Sequence, residues 1–384
     1  MKDLLATTLF GLEEVLAGEL ESMGAESVRI HNRAVSFGGD RDMMYRANYH
    51  LRTALRILMP IRSFPSRNEN DIYQGIRDIE WEKFMNSSDL IAVDTVLLSK
   101  LYRHSGFISQ RVKDGIVDRF RDRTGKRPSV DLKDPDVRIN IHLTDRQCSV
   151  SLDSSGDSLH KRGYRTEPFL APLNEVLAAG MILLTGWNPG QAFLNPMCGS
   201  GTLSIEAGMI AKGIPGGHYR NGFGFQKWKD YDPLRFNSIR RERYLIENKE
   251  FTIIASDISA QAIRATQKNL ASAGLLGQIQ VRKSAFESWN TDLNDGILIM
   301  NPPYGERFDE SNLFELYKSI GDSLKHRFKG FQAWVLSGNP EALKHLELRP
   351  GKKISLFNGP IQCKYQKYDL YEGSRKNVNK SKTQ

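Results

Sequence analysis

The pattern of apolar and polar residues changes near residue 166. Beyond it, short apolar runs at 191–195, 251–256, 279–281, 297–300 and 331–336 alternate with amphipathic stretches such as 201–211 and 259–273. Such runs, bounded by Gly, Pro or Asp, indicate buried strands. Their alternation with helices predicts a parallel, doubly wound α/β sheet. Two further strands, 352–357 and 363–371, flank Gly359-Pro360 and predict a terminal antiparallel β-hairpin.

Before residue 166 the pattern predicts two smaller α+β segments. In the first we expect a strand at 4–8, a helix at 11–23, one or two strands over 28–37, and a helix capped by Asp40 that continues to about Leu55. In the second we expect strands at 90–96, 137–143 and 148–152 and a helix at 109–123. The predicted boundaries are therefore 1–60, 61–160 and 161–372, followed by a basic tail, 373–384, that we expect to be disordered.

Composition limits the classes of protein to which the chain could belong. The chain has 384 residues and a formal charge of +9, which favours a polyanionic partner, although a merely Lys-rich surface is the alternative. Its three cysteines, Cys148, Cys198 and Cys363, lie far apart without CxxC spacing, so we expect neither disulfides nor a metal site. No apolar run approaches the length of a membrane span, and no signal peptide is evident. We therefore expect a soluble, cytoplasmic protein.

The most specific local signal is Asn301-Pro302-Pro303-Tyr304, which directly follows the apolar run 296–300. Two prolines have no backbone N–H and cannot continue a central strand, so the strand must end there. An amide side chain, carbonyl acceptors and an aromatic ring then lie at its carboxyl end. This set suits a planar group with an amino substituent, such as a nucleobase, whereas a strand-ending turn without chemistry is the alternative.

A second signal follows the strand at 191–195, where Cys198-Gly199-Ser200-Gly201-Thr202 leads into a helix. Glycines allow a tight turn and a close approach of the backbone to a ligand, although many such turns are only structural. Asp257 ends the next strand, where a carboxylate typically binds the hydroxyls of a ribose. The loop lacks both G-x-G-x-x-G and the Lys-Ser/Thr pair of a P-loop, so it favours neither of those nucleotide sites.

Together, N-P-x-C-G-S-G-T, D-I-S and N-P-P-Y-G resemble the motif series of class I S-adenosylmethionine methyltransferases that act on exocyclic amines. From Leu4 to about Tyr371 the chain resembles RNA guanine-N2 methyltransferases built from a ferredoxin-like segment, a THUMP domain and a Rossmann-like catalytic domain. These include the N-terminal halves of bifunctional 23S rRNA methyltransferases and their single-domain relatives. The segments 159–165 and 171–175 also look like signatures of this family.

The resemblance implies roles for particular residues. The methionine end of S-adenosylmethionine would contact Asn195, Cys198, Gly199, Ser200, Gly201 and Thr202; its ribose would contact Asp257, and its adenine would lie beside Ala285 and Phe286. Asn195 and Ser284 stand where relatives often have Asp, which weakens the implied contact to the ammonium group and leaves the adenine contacts to the backbone and Phe286. Cys198 is expected to be a small packed residue and not a nucleophile. The catalytic set would be Asn301, Pro302, Pro303 and Tyr304, with Glu306 and Arg307 in either an ion pair or a substrate contact.

RNA contacts are expected in a basic stretch at 100–127 and in the link 160–165. The candidate residues are Arg111, Lys113, Arg119, Arg121, Arg123, Lys126, Arg127, Lys161, Arg162, Tyr164 and Arg165. A solvated helix face is the alternative for the stretch. The long segment 212–250 is expected to be a lid or an RNA-contacting insertion, with ordinary surface packing as its alternative.

The leading hypothesis is methyl transfer to guanine N2 in 23S rRNA. The alternatives are a tRNA guanine-N2 enzyme, an adenine-N6 DNA methyltransferase, and an RNA-binding ribosome-assembly factor with a vestigial catalytic fold. The sequence does not predict the target nucleotide or the oligomeric state.

Overall fold

Fifteen β-strands and ten α-helices lie within residues 2–166, 172–242, 250–289, 291–304 and 309–371, which the computed structural model describes. The strands are β1 (Lys2–Thr8), β2 (Glu26–His31), β3 (Ala34–Gly39), β4 (Ala54–Pro65), β5 (Leu90–Leu98), β6 (Ser129–Val130), β7 (Val137–Thr144), β8 (Gln147–Asp153), β9 (Phe193–Asn195), β10 (Ile253–Asp257), β11 (Gln280–Lys283), β12 (Gly296–Met300), β13 (Phe331–Ser337), β14 (Lys352–Asn358) and β15 (Ile361–Asp369). The helices are α1 (Glu13–Ser22), α2 (Arg41–His50), α3 (Glu69–Arg77), α4 (Ser105–Thr124), α5 (Glu175–Thr185), α6 (Thr202–Ala211), α7 (Pro233–Arg241), α8 (Ala260–Ser272), α9 (Glu310–Arg327) and α10 (Pro340–Lys344).

The chain divides into two compact units. The first contains Met1–Thr8, Leu16–Lys161 and Arg220–Glu242, and the second contains Leu9–Val15, Arg162–Tyr219 and Arg243–Gln384. Among the described residues no helix is long and apolar enough to span a membrane. The expectations for Glu306, Arg307 and the tail 373–384 concern positions outside the described residues.

The first unit is built on an eight-stranded sheet in the order β2-β3-β1-β4-β8-β7-β5-β6. Asp40 caps α2 as predicted, because its side chain accepts a hydrogen bond from the N–H of Met43. The predicted continuation of this helix to Leu55 is wrong, since α2 ends at His50 and β4 begins at Ala54. Pro60 lies inside β4, and a proline at that position argues against a strand in the sequence pattern. The pairing register between β4 and β8 shifts between Pro60 and Arg62, which accommodates the missing N–H of the proline.

Residues 220–242 complete the core of the first unit. Phe225 packs against Tyr45 with ring centroids 4.5 Å apart, and Phe236 packs edge-on against the same ring at 5.6 Å. Trp228 and Ile239 are buried in the same cluster. The aromatic residues of this segment therefore follow the packing alternative and not the lid that we expected.

The second unit is built on a seven-stranded sheet in the order β11-β10-β9-β12-β13-β15-β14. Its first five strands in this order are parallel, whereas β15 pairs antiparallel with both β13 and β14. The predicted doubly wound sheet with a terminal hairpin is thus confirmed. The chain runs outward from β9 to β11 and returns to β12 on the other side of β9. The carboxyl ends of β9 and β12 therefore form a topological switch point, where open α/β sheets bind ligands.

Candidate active site

A cavity of about 890 Å³ opens at the carboxyl ends of the parallel strands of the second unit. Its walls come from the loops that follow β9, β10, β11 and β12 and from the β14–β15 turn. The predicted site residues that line it are Cys198, Gly199, Ser200, Thr202, Asp257, Ala285, Phe286, Asn301, Pro302, Pro303 and Tyr304. The fold thus brings the glycine loop and the Asn-Pro-Pro-Tyr segment into one site.

The glycine loop after β9 has a backbone that requires glycine. Gly199 and Gly201 have φ of 55° and 83°, in the left-handed region that disfavours other residues. A Cβ atom on Gly201 would lie 2.8 Å from Cγ2 of Thr266. The absence of a side chain at Gly201 therefore allows α8 to pack closely against the loop. This packing is the contribution of Gly201 to the predicted site.

Two residues of α8 fix this loop, and no sequence pattern indicated them. The Thr266 hydroxyl donates to the Gly199 carbonyl at 2.9 Å, and Nδ2 of Asn269 donates to the Ser200 carbonyl at 3.1 Å. Both side chains are buried. With these carbonyls occupied, the loop is held in one conformation.

Asp257, at the end of β10, connects the glycine loop to the next helix. Its Oδ2 accepts from the Gly199 N–H at 3.0 Å, and its Oδ1 accepts from the Ser259 N–H at 2.9 Å. A carboxylate oxygen has room for a further donor. The two carboxylate oxygens are therefore held in one orientation, and each can still accept a hydrogen bond from a hydroxyl group of a ligand in the cavity.

The end of β11 forms the neighbouring wall. The Ser284 N–H donates to the Asp257 carbonyl at 3.1 Å. Phe286 stacks on Phe328, with centroids 5.3 Å apart and planes 14° apart. Ala285 and Phe286 give this wall an apolar patch, which suits the flat face of a ring.

Asn301 lines the cavity and carries an unpaired acceptor. Its Oδ1 is buried and has no hydrogen-bond partner within the described part of the chain. Leaving such an atom unpaired costs about 1–3 kcal/mol, so an orphaned acceptor in a cavity points to a ligand that donates to it.

Asn195, the other amide at the switch point, behaves differently. It is fully buried at 0% exposure, and its Nδ2 donates to the Ile299 carbonyl at 3.0 Å, which joins β9 to β12. Unlike the residues after it, Asn195 does not line the cavity. Its Oδ1 is buried and has no hydrogen-bond partner among the described residues. Asn195 thus joins the two strands behind the cavity wall, and its contact with the cofactor stays a prediction.

Tyr304 is held by the terminal hairpin. Nδ2 of Asn358 donates to its hydroxyl at 2.7 Å, and burial raises the pKa of that hydroxyl well above its usual value. A Cβ atom at Gly338 would lie 2.8 Å from the Tyr304 ring, so glycine makes room for it. Asn358 and Ile361 also line the cavity, and the sequence pattern did not identify either of them.

Cys198 is buried beside the cavity, at 8% exposure. Burial raises the pKa of its thiol to about 12, so the thiol remains protonated near neutral pH. A protonated thiol is a poor nucleophile. Cys198 therefore fits the packed residue that we expected.

The link after the first unit contains two buried residues that were expected to contact RNA. Arg162 and Tyr164 are each 1% exposed, and both contact Oε1 of Glu206, at 3.4 Å and 3.0 Å. Arg165 pairs with Glu175 at 3.2 Å and donates to Thr202 Oγ1 at 3.1 Å. The RNA contacts expected for Arg162 and Tyr164 are wrong, because both side chains are buried. Arg165 instead connects α5 and α6 through Glu175 and Thr202. Lys161 alone is well exposed.

The basic stretch on α4 is also largely paired. Arg119 is 8% exposed and pairs with Glu82 at 3.0 Å, so its expected RNA contact is wrong. Arg111 lies over the Tyr73 ring, and the remaining helix cations pair with neighbouring acids: Lys113 with Asp114, Arg121 with Asp118 and Arg123 with Glu82. Lys126 and Arg127 are exposed and form no ion pair within the described ranges.

No three His, Cys, Asp or Glu side chains of the described residues converge in the way that a metal ion requires. The described residues instead assemble a cavity lined by Asn301, a fixed carboxylate and a glycine loop.

Comparison with known families identifies this arrangement. Residues 162–367 match the model of the RMKL-like methyltransferase domain, residues 66–153 match the THUMP domain, and residues 3–58 match the RlmL ferredoxin-like domain. The chain belongs to the RMKL-like methyltransferase family. The predicted succession of a ferredoxin-like segment, a THUMP domain and a Rossmann-like methyltransferase domain is confirmed.

Individual relatives extend this result. A ribosomal RNA large subunit methyltransferase K/L of Syntrophotalea carbinolica is 39% identical over 96% of this chain and 53% of its own length. The chain thus spans about half the length of this relative. A protein of Synechocystis sp. described as a candidate RNA methyltransferase is 38% identical, with 95% of this chain and 96% of the relative covered.

A solved structure is similar throughout. SMU.472, described as a candidate methyltransferase and solved in complex with SAH, superposes with a TM-score of 0.87 at 28% identity. The match covers 97% of this chain and 99% of that one.

Proposed function

We propose that this protein transfers a methyl group from S-adenosylmethionine to the exocyclic N2 amine of a guanine in RNA, with 23S rRNA as the expected substrate. The observation that carries the proposal is Asn301, which lines the same cavity as Gly199 and Asp257 and whose buried Oδ1 has no hydrogen-bond partner among the described residues. The THUMP match and the similarity to rRNA large subunit methyltransferases K/L support RNA as the substrate.

The residues of the cavity fit S-adenosylmethionine. The glycine loop from Gly199 to Thr202 offers close backbone approach, Asp257 offers fixed carboxylate oxygens for ribose hydroxyls, and Phe286 offers an apolar wall for adenine. The SAH complex of the similar protein SMU.472 supports this assignment. When bound, S-adenosylmethionine supplies an electrophilic methyl group on a sulfonium.

Asn301 and Pro302 would activate the amine. The lone pair of an exocyclic amine is delocalised into the base, so the nitrogen is a poor nucleophile. If Asn301 Oδ1 and the Pro302 carbonyl accept its two N–H bonds, the nitrogen can pyramidalise and direct its lone pair towards the methyl group. These acceptors stabilise the positive charge that develops on nitrogen more strongly in the transition state than in the ground state. The proton then leaves to water or to a carbonyl acceptor.

Tyr304 would hold the base. Its side chain is already fixed by Asn358, so stacking on the ring would cost little additional ordering. A base must leave its helix to enter such a cavity, which costs a few kcal/mol and least for an unpaired nucleotide. Loops and bulges of RNA are therefore the expected targets.

The decisive experiment is labelled methyl transfer to purified rRNA, tRNA and DNA from cells that lack the gene, followed by nucleoside mass spectrometry. The proposal expects N2-methylguanosine in 23S rRNA. N2-methylguanosine in tRNA alone would favour the tRNA enzyme, and N6-methyladenine in DNA would favour the adenine enzyme. Calorimetry with S-adenosylmethionine distinguishes the assembly-factor alternative, which predicts no heat of binding.

A further inference from the structure

Two carboxylates line the active-site cavity among the described residues, and the proposed mechanism uses only one of them. Asp257 ends β10, and its oxygens are fixed by the N–H groups of Gly199 and Ser259. The other carboxylate is that of Glu287, which directly follows Phe286 in the wall after β11. A charged acceptor beside the apolar patch of this wall suits a ligand that carries a hydrogen-bond donor at the edge of a flat ring.

The Glu287 side chain is held from α9. The Ser319 hydroxyl donates to Glu287 Oε1 at 3.3 Å. Leu316, one helical turn before Ser319, lines the cavity, so this hydrogen bond is made close to the cavity wall. Within the described ranges, Glu287 Oε2 has no hydrogen-bond partner and no cation pairs with the carboxylate. The group is thus tied at one oxygen, and the other oxygen can accept a further hydrogen bond.

The order of the strands indicates which part of the cofactor reaches this wall. Across the sheet, Asn301 follows β12, the glycine loop follows β9, Asp257 ends β10 and Glu287 follows β11, and these strands are neighbours in that order. The methyl group must lie near Asn301 to be transferred, and the ribose is assigned to Asp257. Adenine is attached to the ribose on the side away from the sulfonium. It therefore extends from Asp257 towards β11, where Phe286 and Glu287 line the cavity.

Ser284 begins the same wall, but its hydroxyl is engaged within its own loop. It donates to the Ala285 carbonyl at 3.1 Å and lies 3.2 Å from the Ser288 hydroxyl. A carboxylate is also the stronger acceptor, because hydrogen bonds to an ionised group are about twice as strong as those between neutral groups. Glu287 is therefore the acceptor of this wall that best suits an amino group.

We propose that Glu287 recognises the 6-amino group of the adenine of S-adenosylmethionine, with Oε2 accepting an N–H while Ser319 holds Oε1. The amino group carries the only N–H bonds of the adenine ring in a nucleoside. The contact would therefore select an aminopurine over a purine without that group, since a site built to accept an N–H discriminates against a ligand that lacks it. The inference rests on the cofactor assignment of the proposed function and is independent of the identity of the methyl acceptor.

The test combines a change in the protein with a change in the ligand. The two ligands are S-adenosylhomocysteine (SAH) and its analogue in which hydrogen replaces the 6-amino group, and calorimetry measures the Kd of each with the full-length protein. The wild type should bind SAH about tenfold more tightly than the analogue, because the analogue cannot donate to the carboxylate. Glu287→Ala should lose that preference by binding SAH more weakly and the analogue as tightly as the wild type does. Glu287→Gln keeps a neutral acceptor and should retain part of the preference.

Glu315→Ala is the matched control, because Glu315 lies on α9 and lines a neighbouring groove with Glu287 but does not line the cavity. This variant should keep the wild-type preference, and thermal melting verifies that each variant is folded. Equal losses for both ligands in Glu287→Ala, or a preference for the amino group that this variant leaves unchanged, would overturn the proposal. An equal loss of preference in Glu315→Ala would also overturn it, since negative charge in general would then be the cause. Failure of the proposed function appears separately, as wild-type protein that prefers SAH through Glu287 but methylates no guanine in RNA.

Discussion

The hydroxyl of Tyr304 accepts a hydrogen bond from Nδ2 of Asn358 at 2.7 Å, so the last turn of the sheet holds the ring that follows the Asn-Pro-Pro segment. The two residues are separated by 54 positions in the chain. The terminal hairpin is thereby part of the site wall as well as the edge of the sheet.

Asn358→Ala should therefore impair the reaction through Tyr304. Loss of one hydrogen bond costs about 0.5–1.5 kcal/mol, so we expect the apparent RNA affinity or kcat to fall by about two- to tenfold while cofactor binding is unchanged. Tyr304→Phe removes the same bond and keeps the ring. If the bond is the cause, the double variant should be no worse than either single variant; additive losses would show that Asn358 acts independently.

Asn301→Ala should abolish methyl transfer and leave binding of S-adenosylmethionine nearly unchanged. Removing a preorganised polar group that stabilises transition-state charge typically costs about 10²–10³ in kcat. Single-turnover rates with saturating RNA, together with calorimetry of the cofactor, measure the two effects. A variant that loses cofactor binding as well would show that Asn301 has been given the wrong role.

Asp257→Asn should act on the cofactor and not on RNA. The substitution places an NH2 group opposite one of the N–H donors of Gly199 and Ser259 and removes a charged acceptor. Because a hydrogen bond to a charged group is worth about 1.5–3 kcal/mol, affinity for S-adenosylmethionine should fall by roughly 10- to 100-fold. Ser284→Ala, in the same cavity, is the control with little expected effect. Equal losses in both variants would argue against a specific ribose contact.

The sequence was sufficient to predict the elements that are marked by a local pattern of residues. Apolar runs gave the parallel strands, Asp40 gave the start of α2, and the two prolines after Asn301 gave the end of β12. The parallel, doubly wound character of the sheet followed from strand–helix alternation, whereas the pairing order of the strands was not predicted. These features depend on neighbouring residues, so they are visible in a linear pattern.

Features that depend on distant partners were missed or misassigned. Arg162 lies in a basic stretch and looks exposed, but Glu206, 44 positions away, allows it to be buried; charged residues are rarely buried unless they are paired. Asn195 joins β9 to β12 through its Nδ2, a role that the sequence did not indicate. Thr266, Asn269 and Asn358 carry no local signal, because their function is to hold loops from other parts of the chain.

The buried thiols should make stability depend on pH. Burial raises the pKa of the Cys148 and Cys198 thiols from the ordinary value of 9.0 to about 12. The folded state therefore favours the protonated form, and this contribution is present below pH 9 and is lost as the pH rises towards 12. Chemical denaturation at pH 8 and pH 10.5 should show a smaller loss of stability for Cys148→Ala, Cys198→Ala than for the wild type. An identical loss in both proteins would contradict the assignment.

The buried charge cluster behind α6 gives the sharpest distinction between a structural role and an RNA contact. Arg162→Met should lower the free energy of unfolding by about 3–5 kcal/mol, because it leaves Glu206 buried without its cation. Lys161→Met, one position earlier on an exposed side chain, should change stability by less than about 0.5 kcal/mol. Replacing both Arg162 and Glu206 with apolar residues should recover part of the loss, since no buried charge then remains unpaired. Thermal and urea denaturation measure these effects, and RNA affinity of the folded Arg162→Met protein should equal that of the wild type. A variant that remains as stable as the wild type but loses RNA affinity would return Arg162 to the RNA interface.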